Sequence, residues 1–497
     1  LRRRVQTMGV TTLCSTPVSR LVVAGCSTMV LLILTTYTLC VSQDNCPKFL
    51  PTISNTWVYP PENYISRWFV GNLCVLFAIF QLVIYYDNVS TAAQQAPPRA
   101  GRFCDMISYE ALCKMAVFGI FCLSWVGAIC DNDSAPSCRG NNTIHSTFAV
   151  TFFSLYDIYM IANHAKQPSK SGYVSWALLA LNLLLYPRIL LNYLQLGSGS
   201  ETPLAVFEWT NVACIVAWTV HYPFQRSLTF DLSWGAVTGP ADDVEASPSI
   251  FSYLGCRSMT KLVDGLFAFT IFGCLIAAIV KGTVPMDHVP YISDLFVYPP
   301  GNWFSRWGIV QATHWLFWIQ GFLYYATVSQ RSGPAKATLT DRSLWIISEI
   351  AVFGLSIVGV CNEDENLTIH LAGAYTFFGL YDVYMLATGV RCLFQGHNAK
   401  DLGHQGRRTL PLVLAGAAIA AQACRYGLLH TEDVGENVLP ILEWTNVFIM
   451  IAFLNYDVFS RSATEETFAA LIDEGAEKEN EAEAAHRLKM KLLEGAI

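Results

Sequence analysis

Tyr59-Pro60-Pro61-Glu62-Asn63-Tyr64-Ile65-Ser66-Arg67-Trp68 is answered by Tyr298-Pro299-Pro300-Gly301-Asn302-Trp303-Phe304-Ser305-Arg306-Trp307, 298 − 59 = 239 residues further on. The echo continues in order. Thr143-Ile144-His145 returns as Thr368-Ile369-His370, and Phe152-Phe153-Ser154-Leu155-Tyr156-Asp157 as Phe377-Phe378-Gly379-Leu380-Tyr381-Asp382. Glu208-Trp209-Thr210-Asn211-Val212 recurs unaltered as Glu443-Trp444-Thr445-Asn446-Val447. A period of about 235 residues is far longer than any solenoid repeat. The chain is a duplicated domain, and each half is an internal comparison for the other.

Only 14% of the 497 residues are charged, 53% are hydrophobic and the mean hydropathy is +0.37. A soluble domain carries about 25% charged residues, so the composition points to a polytopic membrane protein. Residues 21–41 hold no charge over the roughly 20 residues needed to cross a bilayer. Comparable segments follow near 65–86, 108–130, 144–163, 173–193 and 205–222. The second half supplies 260–281, 304–326, 343–361, 370–390, 410–429 and 439–459. The expected fold is all-α, about twelve transmembrane helices in two six-helix repeats.

Arg2, Arg3, Arg4 and Arg20 flank the first apolar run in the manner of a signal peptide. Its counterpart at 260–281 is internal, which argues that the run is retained as a span. Met8 stands as an alternative start, and the Arg-rich, acid-free leader leaves organellar import as the lesser reading.

Orientation follows from the bias of Lys and Arg in short loops. Arg99, Arg102, Lys166, Lys170, Arg226, Arg257, Arg331, Lys336, Arg342, Arg391, Lys400, Arg407 and Arg408 fall on the side of the N-terminus. The opposite loops carry Asp131, Asp133, Glu363, Asp364, Glu365, Glu432, Asp433 and Glu436. Both termini are expected in the cytosol. Six spans is an even number, so the repeats run parallel, about an axis along the membrane normal, and are not inverted. The expected divisions are a cytosolic segment 1–20, repeat one 21–222, a cytosolic linker 223–259, repeat two 260–459 and a tail 460–497. An endomembrane or plasma-membrane location is expected, with a mitochondrial membrane second.

The net charge of −7 arises in the loops and in the tail, and no basic cluster points to nucleic acid. The tail, with Phe468-Ala469-Ala470-Leu471-Ile472 and an Ala/Glu/Lys/Leu-rich stretch from Glu477, reads as a solvated helix, either an appendage or a dock for a membrane-protein partner. Most of the 16 cysteines sit in apolar segments as packing residues. Cys46, Cys130 and Cys138 lie near the lumen, where one disulfide confined to repeat one can form. No CxxC or His/Cys spacing points to a metal, and no cofactor is expected. Sequons at Asn132, Asn141 and Asn366 face the expected lumen, close to the membrane edge.

Ionisable residues within membrane helices are functional candidates. At 1.5 Å per residue, Arg67, His145, Arg188 and Glu208 all fall within about 10 Å of the luminal interface. Repeat two supplies Arg306, His370, Arg425 and Glu443. Two readings stand side by side. Arg188 and Glu208 can be a structural ion pair with Arg67 snorkelling, or the layer can be a headgroup pocket. In that pocket Arg would grip an anion and His145 or Glu208 would do acid–base work. Asp157 and Asp382 lie about 18 Å deeper than the histidines and are expected to bond neighbouring helices. Glu110, Glu349 and His314 have no evident partner. The proline-rich loops at Pro51-Thr52-Ile53-Ser54 and Pro290-Tyr291-Ile292-Ser293 are expected to fold back over the luminal mouth of each bundle.

The Pro-x-Ile-Ser-Asp loop with its following Pro-Glu, the Thr-Ile-His opening the fourth helix and the Glu-Trp opening the sixth resemble a known family. It groups the FGF-receptor-activating protein, the damage-regulated autophagy modulators, the yeast Sfk-type proteins, the Golgi post-GPI-attachment factor and the N-terminal region of the yeast protein that remodels GPI lipids to ceramide. The resemblance covers roughly 20–225 and 260–460. A tandem departs from the single six-helix unit of most members. The loops depart in complementary ways: repeat one has Asn55 but keeps Glu62, whereas repeat two keeps Asp294 and has Gly301 in place of that Glu. The resemblance implies action on membrane lipids, either GPI-anchor remodelling or regulation of lipid asymmetry and autophagy. The expected function is binding of a phospholipid or GPI headgroup at the luminal leaflet, with catalysis left open. The rival reading is a non-catalytic structural subunit of a larger membrane assembly, and a transporter ranks third.

Overall fold

The computed structural model describes residues 11–94, 107–130, 141–166, 173–193, 201–224, 229–234, 256–284, 287–329, 337–395, 405–429, 435–460 and 468–473. Within them the duplicated sequence becomes twelve helices, six per repeat. Repeat one holds α1 (Val18–Ser42), α2 (Glu62–Gln94), α3 (Tyr109–Ala128), α4 (Asn142–Lys166), α5 (Tyr173–Tyr193) and α6 (Glu201–Phe224). Repeat two holds α7 (Cys256–Lys281), α8 (Gly301–Ser329), α9 (Leu339–Val360), α10 (Glu363–Gln395), α11 (Gln405–Leu428) and α12 (Val438–Ser460). Among the described residues, nine of these are long and apolar enough to cross a membrane. The remaining three are α4, α5 and α8. Two of them carry polar side chains that are nevertheless buried, such as His145, Asp157 and Asn163 on α4 and Arg306, Gln311 and Gln320 on α8.

Local chemistry sets the helix ends. Ser108 caps α3 by accepting from the Ala111 N–H at 3.0 Å. Thr338 and Asp341 form a reciprocal capping box at the start of α9. Ile129 and Cys361, equivalent in the two repeats, end α3 and α9 by turning extended. Asn366 is likewise extended and sets the first turn of α10 apart from the rest.

Three short strands add what the hydropathy pattern does not contain. β1 (Thr11–Pro17), β2 (Thr229–Trp234) and β3 (Phe468–Asp473) pair antiparallel in that order. The apolar patch of the tail, expected to be helical, is therefore a strand, pairing Phe468 with Trp234 and Ile472 with Phe230. Its alternatives are decided by a partner more than 200 positions away, which no local period reports. The linker, expected as loop, contributes the central strand. The tail beyond Asp473 lies outside the described residues.

Each bundle has its own core, built from equivalent residues such as Phe152, Tyr156 and Trp218 in repeat one and Phe377, Tyr381 and Phe453 in repeat two. Without a hydrophobic drive between helices in lipid, close approach and interhelical hydrogen bonds carry the association. Gly127 lets α3 approach α2 so closely that a Cβ there would sit 2.7 Å from Val70. Gly359 does the same for α9 and α8, at 2.7 Å from Ile309.

The repeats meet along α2 and α8, flanked by α3 and α9. The contacts are reciprocal. Trp68 Nε1 donates to Ser356 Oγ at 3.0 Å, and Trp307 Nε1 donates to Ser124 Oγ at 2.8 Å. Gln311 donates to the Gly71 carbonyl at 3.0 Å. His314, for which the sequence offers no partner, lies in this seam. Its Nε2 accepts from Trp318 at 3.1 Å, so its Nδ1–H donates to Asn72 at 3.0 Å.

Candidate functional site

The proline-rich loops do fold back onto their bundles. Trp209 Nε1 donates to the Pro51 carbonyl at 2.8 Å, and Trp444 Nε1 to the Pro290 carbonyl at 2.9 Å. The tryptophan of each Glu-Trp motif thus pins the loop, and the preceding glutamate grips it. Pro60-Pro61 and Pro299-Pro300 are both cis, and a 3-10 turn follows the loop serine in each copy. Beneath each loop lies an apolar chamber. In repeat one it is ≈ 90 Å³, lined by residues including Met29, Phe152 and Ile215, with Ser54 and Glu208 at the loop end. In repeat two it is ≈ 160 Å³, lined by residues including Phe267, Phe377 and Met450, with Ser293, Glu363, His370, Arg425 and Glu443 as its polar part.

In repeat one the polar cap is a closed chain. Glu208 accepts from the Ile53 N–H at 3.1 Å and bonds Ser54 Oγ at 3.3 Å. Ser54 Oγ lies 3.1 Å from His145 Nε2, and His145 Nδ1 lies 2.7 Å from the Ile129 carbonyl. A carbonyl only accepts, so Nδ1 carries a proton. Two patterns then satisfy the bridge. Either a protonated Glu208 donates to Ser54 and Ser54 to His145, or an imidazolium donates to Ser54 and Ser54 to Glu208. The hydroxyl can pass a proton between the two groups.

Repeat two rearranges the same parts. Glu443 accepts from the Ile292 and Ser293 backbone and pairs with Arg425 at 3.1 Å. Arg425 also covers the Tyr291 ring, 5.8 Å from its centroid, and burial raises the pKa of that phenol. Ser293 bonds Glu363, which also shares a hydrogen bond with Asp294. Asp294 accepts from the Tyr291 N–H at 3.2 Å. His370 Nδ1 is held by the Cys361 carbonyl at 2.8 Å, as in repeat one, but its Nε2 has no bond to the loop serine among the described residues. Burial pushes the Cys361 thiol up to about 11.

The residues expected in one headgroup layer fall in two places. His145, Glu208, His370, Arg425 and Glu443 gather at the chambers. Arg67 and Arg306 do not. Both are buried in the seam between repeats and converge on one carboxylate. Glu365 accepts from Arg67 at 2.8 and 3.0 Å and from Arg306 at 2.7 Å, while Arg67 also donates to the Val360 carbonyl at 2.8 Å. The arginines face the partner repeat because α2 and α8, which carry them, are the helices that pack together. The α5 helix carrying Arg188 is in place, but that side chain lies outside the described residues.

Glu62 accepts from Asn45 at 3.3 Å and does not line the chamber. Its replacement by Gly301 is forced locally, because a Cβ at Gly301 would run into the Leu295 carbonyl oxygen. Asp157 bonds Asn182 of α5 and Asn211 of α6, which bears out a helix-bonding role in repeat one. Ile419 stands where Asn182 would recur, and among the described residues Asp382 Oδ1 has no hydrogen-bond partner. Glu349 accepts from Trp345 at 2.6 Å. Cys46 forms a disulfide with Cys40, which was not among the three expected cysteines, and Cys130 is also disulfide-bonded, so the single expected bridge is corrected to more than one.

Four residues of the caps and the seam were not singled out as site residues by the sequence. Ser54 and Ser293 were visible in the repeated loop but are not ionisable. Glu363 and Glu365 count in the sequence only as loop acids, which do not align between the copies as a shared motif.

Comparison with curated proteins and with solved structures finds no match. A family model does match, twice, over residues 17–224 and 262–456, and so covers both six-helix units with their loops, histidines and Glu-Trp motifs. The chain is an integral membrane protein that belongs to the Frag1/DRAM/Sfk1/Cwh43P N-terminal domain family, with the domain present in tandem.

Proposed function

We propose that this protein binds membrane lipids, with a headgroup at the polar cap of a bundle and hydrocarbon in the chamber below. The observation that carries the reading is the recurrence of one design in both halves: an apolar cavity closed at one end by a folded-back loop, a serine and a glutamate. A pocket that is mostly apolar with a few convergent polar groups is the usual form of a ligand site, and an amphiphile matches both ends. The Cys40–Cys46 disulfide on the loop between α1 and α2 supports placing the caps on an oxidising, luminal face. Family membership supports a role on membrane lipids, GPI-anchored or free.

Native mass spectrometry of the full chain released from nanodiscs tests this. Lipid is expected to co-purify, and Arg425→Ala, which removes the guanidinium paired with Glu443 at the polar end of the chamber, is expected to alter its recovery. Unchanged lipid occupancy in a folded Arg425→Ala protein would sink the proposal.

A further inference from the structure

The two chambers differ in what they leave unsatisfied, and the difference names a ligand. In repeat one both nitrogens of His145 are used, one by Ile129 and one by Ser54. Ser54 is also committed to Glu208, and the cavity is ≈ 90 Å³. In repeat two Glu363 draws Ser293 away. His370 is 3% exposed and lines a cavity of ≈ 160 Å³. With its Nδ1–H donated to Cys361, the neutral ring offers an Nε2 lone pair that no described residue uses. That lone pair belongs to a side chain lining the cavity, so a ligand that donates a hydrogen bond is favoured there.

The charges around that acceptor are one-sided. Asp294 and Glu363, which share one proton in their mutual hydrogen bond, and Glu443 together leave two negative charges against Arg425, which is already paired with Glu443 and laid over Tyr291. A phosphate would meet excess carboxylate and would have to displace Glu443 from its guanidinium. A primary ammonium fits instead: it is cationic and brings three N–H donors, for His370 Nε2 and the Glu363 carboxylate among others. A cavity of about 150 Å³ holds a benzene-sized group, so this one encloses the first carbons of a chain whose remainder extends beyond it.

We propose that repeat two holds the working site and that its ligand is an amphiphile headed by a primary amine, while repeat one's cap is sealed by its own hydrogen bonds. The proposal rests on the lipid-binding reading and narrows it to one bundle and one headgroup chemistry.

The test uses the full chain in nanodiscs doped in turn with a long-chain primary alkylamine, its N-acetyl derivative, phosphatidylethanolamine or phosphatidic acid. Native mass spectrometry reads occupancy and stoichiometry. One alkylamine per chain is expected, with binding of the N-acetyl derivative and of phosphatidic acid weaker by about tenfold or more, the factor set by a charged hydrogen bond. Glu363→Gln should lower amine affinity about tenfold, and Asp294→Asn serves if that variant does not fold. Phosphatidylethanolamine binding as tightly as the alkylamine would support the headgroup and identify a phospholipid as its source. Two amines per chain, equal binding of the N-acetyl derivative or phosphatidic acid, or an unaltered affinity in both carboxylate variants would overturn the proposal. Loss of every lipid class from the wild-type chain would instead refute lipid binding itself.

Discussion

Glu365→Gln is the substitution on which the seam between the repeats is most exposed. Wild-type Glu365 accepts three charge-assisted hydrogen bonds, at 2.8, 3.0 and 2.7 Å, from two guanidiniums, and its side chain is 6% exposed. Glutamine keeps one acceptor oxygen and turns an NH₂ toward donors, so at least one bond becomes a donor–donor contact. Among the described residues, the charge lost is the one that pairs with both Arg67 and Arg306, whose side chains are 2% and 1% exposed. Three charged bonds at about 1.5–3 kcal/mol each set a ceiling. Breaking a buried ion pair by removing one partner costs about 3–5 kcal/mol, and that is the expected destabilisation. Denaturant unfolding in detergent, followed by tryptophan fluorescence, is a suitable assay because Trp68 and Trp307 both bridge the seam. Pairing Glu365→Gln with Arg306→Met should recover part of the loss, since one stranded cation is then removed. A single variant within about 0.5 kcal/mol of wild type, the range of an ordinary surface change, would refute the claim that this carboxylate holds the repeats together.

Other expectations follow from the same coordinates. Trp68→Phe and Trp307→Phe each remove one interrepeat hydrogen bond, worth about 0.5–1.5 kcal/mol; reciprocal packing requires their unfolding midpoints to shift by similar amounts, and a large effect from one alone would break the symmetry. Ser54→Ala removes the hydroxyl that bridges His145 Nε2 and Glu208, for a loss of about 1–3 kcal/mol, to be read by thermal unfolding. Gly301→Ala should destabilise by about 1–3 kcal/mol, because the new methyl meets the Leu295 carbonyl; a neutral result would show that this glycine is not sterically required. Cys361, buried and with its thiol raised to about 11, should resist maleimide at pH 8, where the thiolate is about one part in a thousand. Labelling should rise only with increasing pH or on unfolding, as peptide mass mapping would show.

The helices and the duplication were legible because both are properties of contiguous sequence. An apolar stretch of about 20 residues announces a span without reference to anything else, and a motif found twice in order announces a repeat. The fold-back of the loops was legible too, through their prolines. What failed was anything that depends on which helix faces which. Arg67 was expected at a headgroup pocket and lies in the seam between repeats, because residue count gives position along a helix whereas azimuth follows from packing. His314 had no evident partner because its partner, Asn72, is in the other repeat. The strands escaped because β2 pairs with segments at the two ends of the chain. Comparing the copies also favoured what they share, so Glu363 and Glu365 counted only as loop charge and not as site residues.

Those unshared residues are where the two halves cease to be equivalent. The tryptophan–serine contacts across the seam are reciprocal, the form of an isologous interface between identical subunits. A carboxylate on such a seam, if both copies carried it, would put two acids against two arginines. Here Glu365 comes from repeat two and serves the arginine of each repeat, so one loop is fixed to the seam by charge and the symmetry is broken at its centre. Glu363 lies two residues before it on the same short turn and is the group that takes Ser293 from His370. The turn that ties the repeats together therefore also sets the hydrogen bonding of repeat two's cap. A substitution that loosens Glu365 should reach the chamber through that turn, whereas repeat one's cap, held by Ser54 and the Ile129 carbonyl, should not respond.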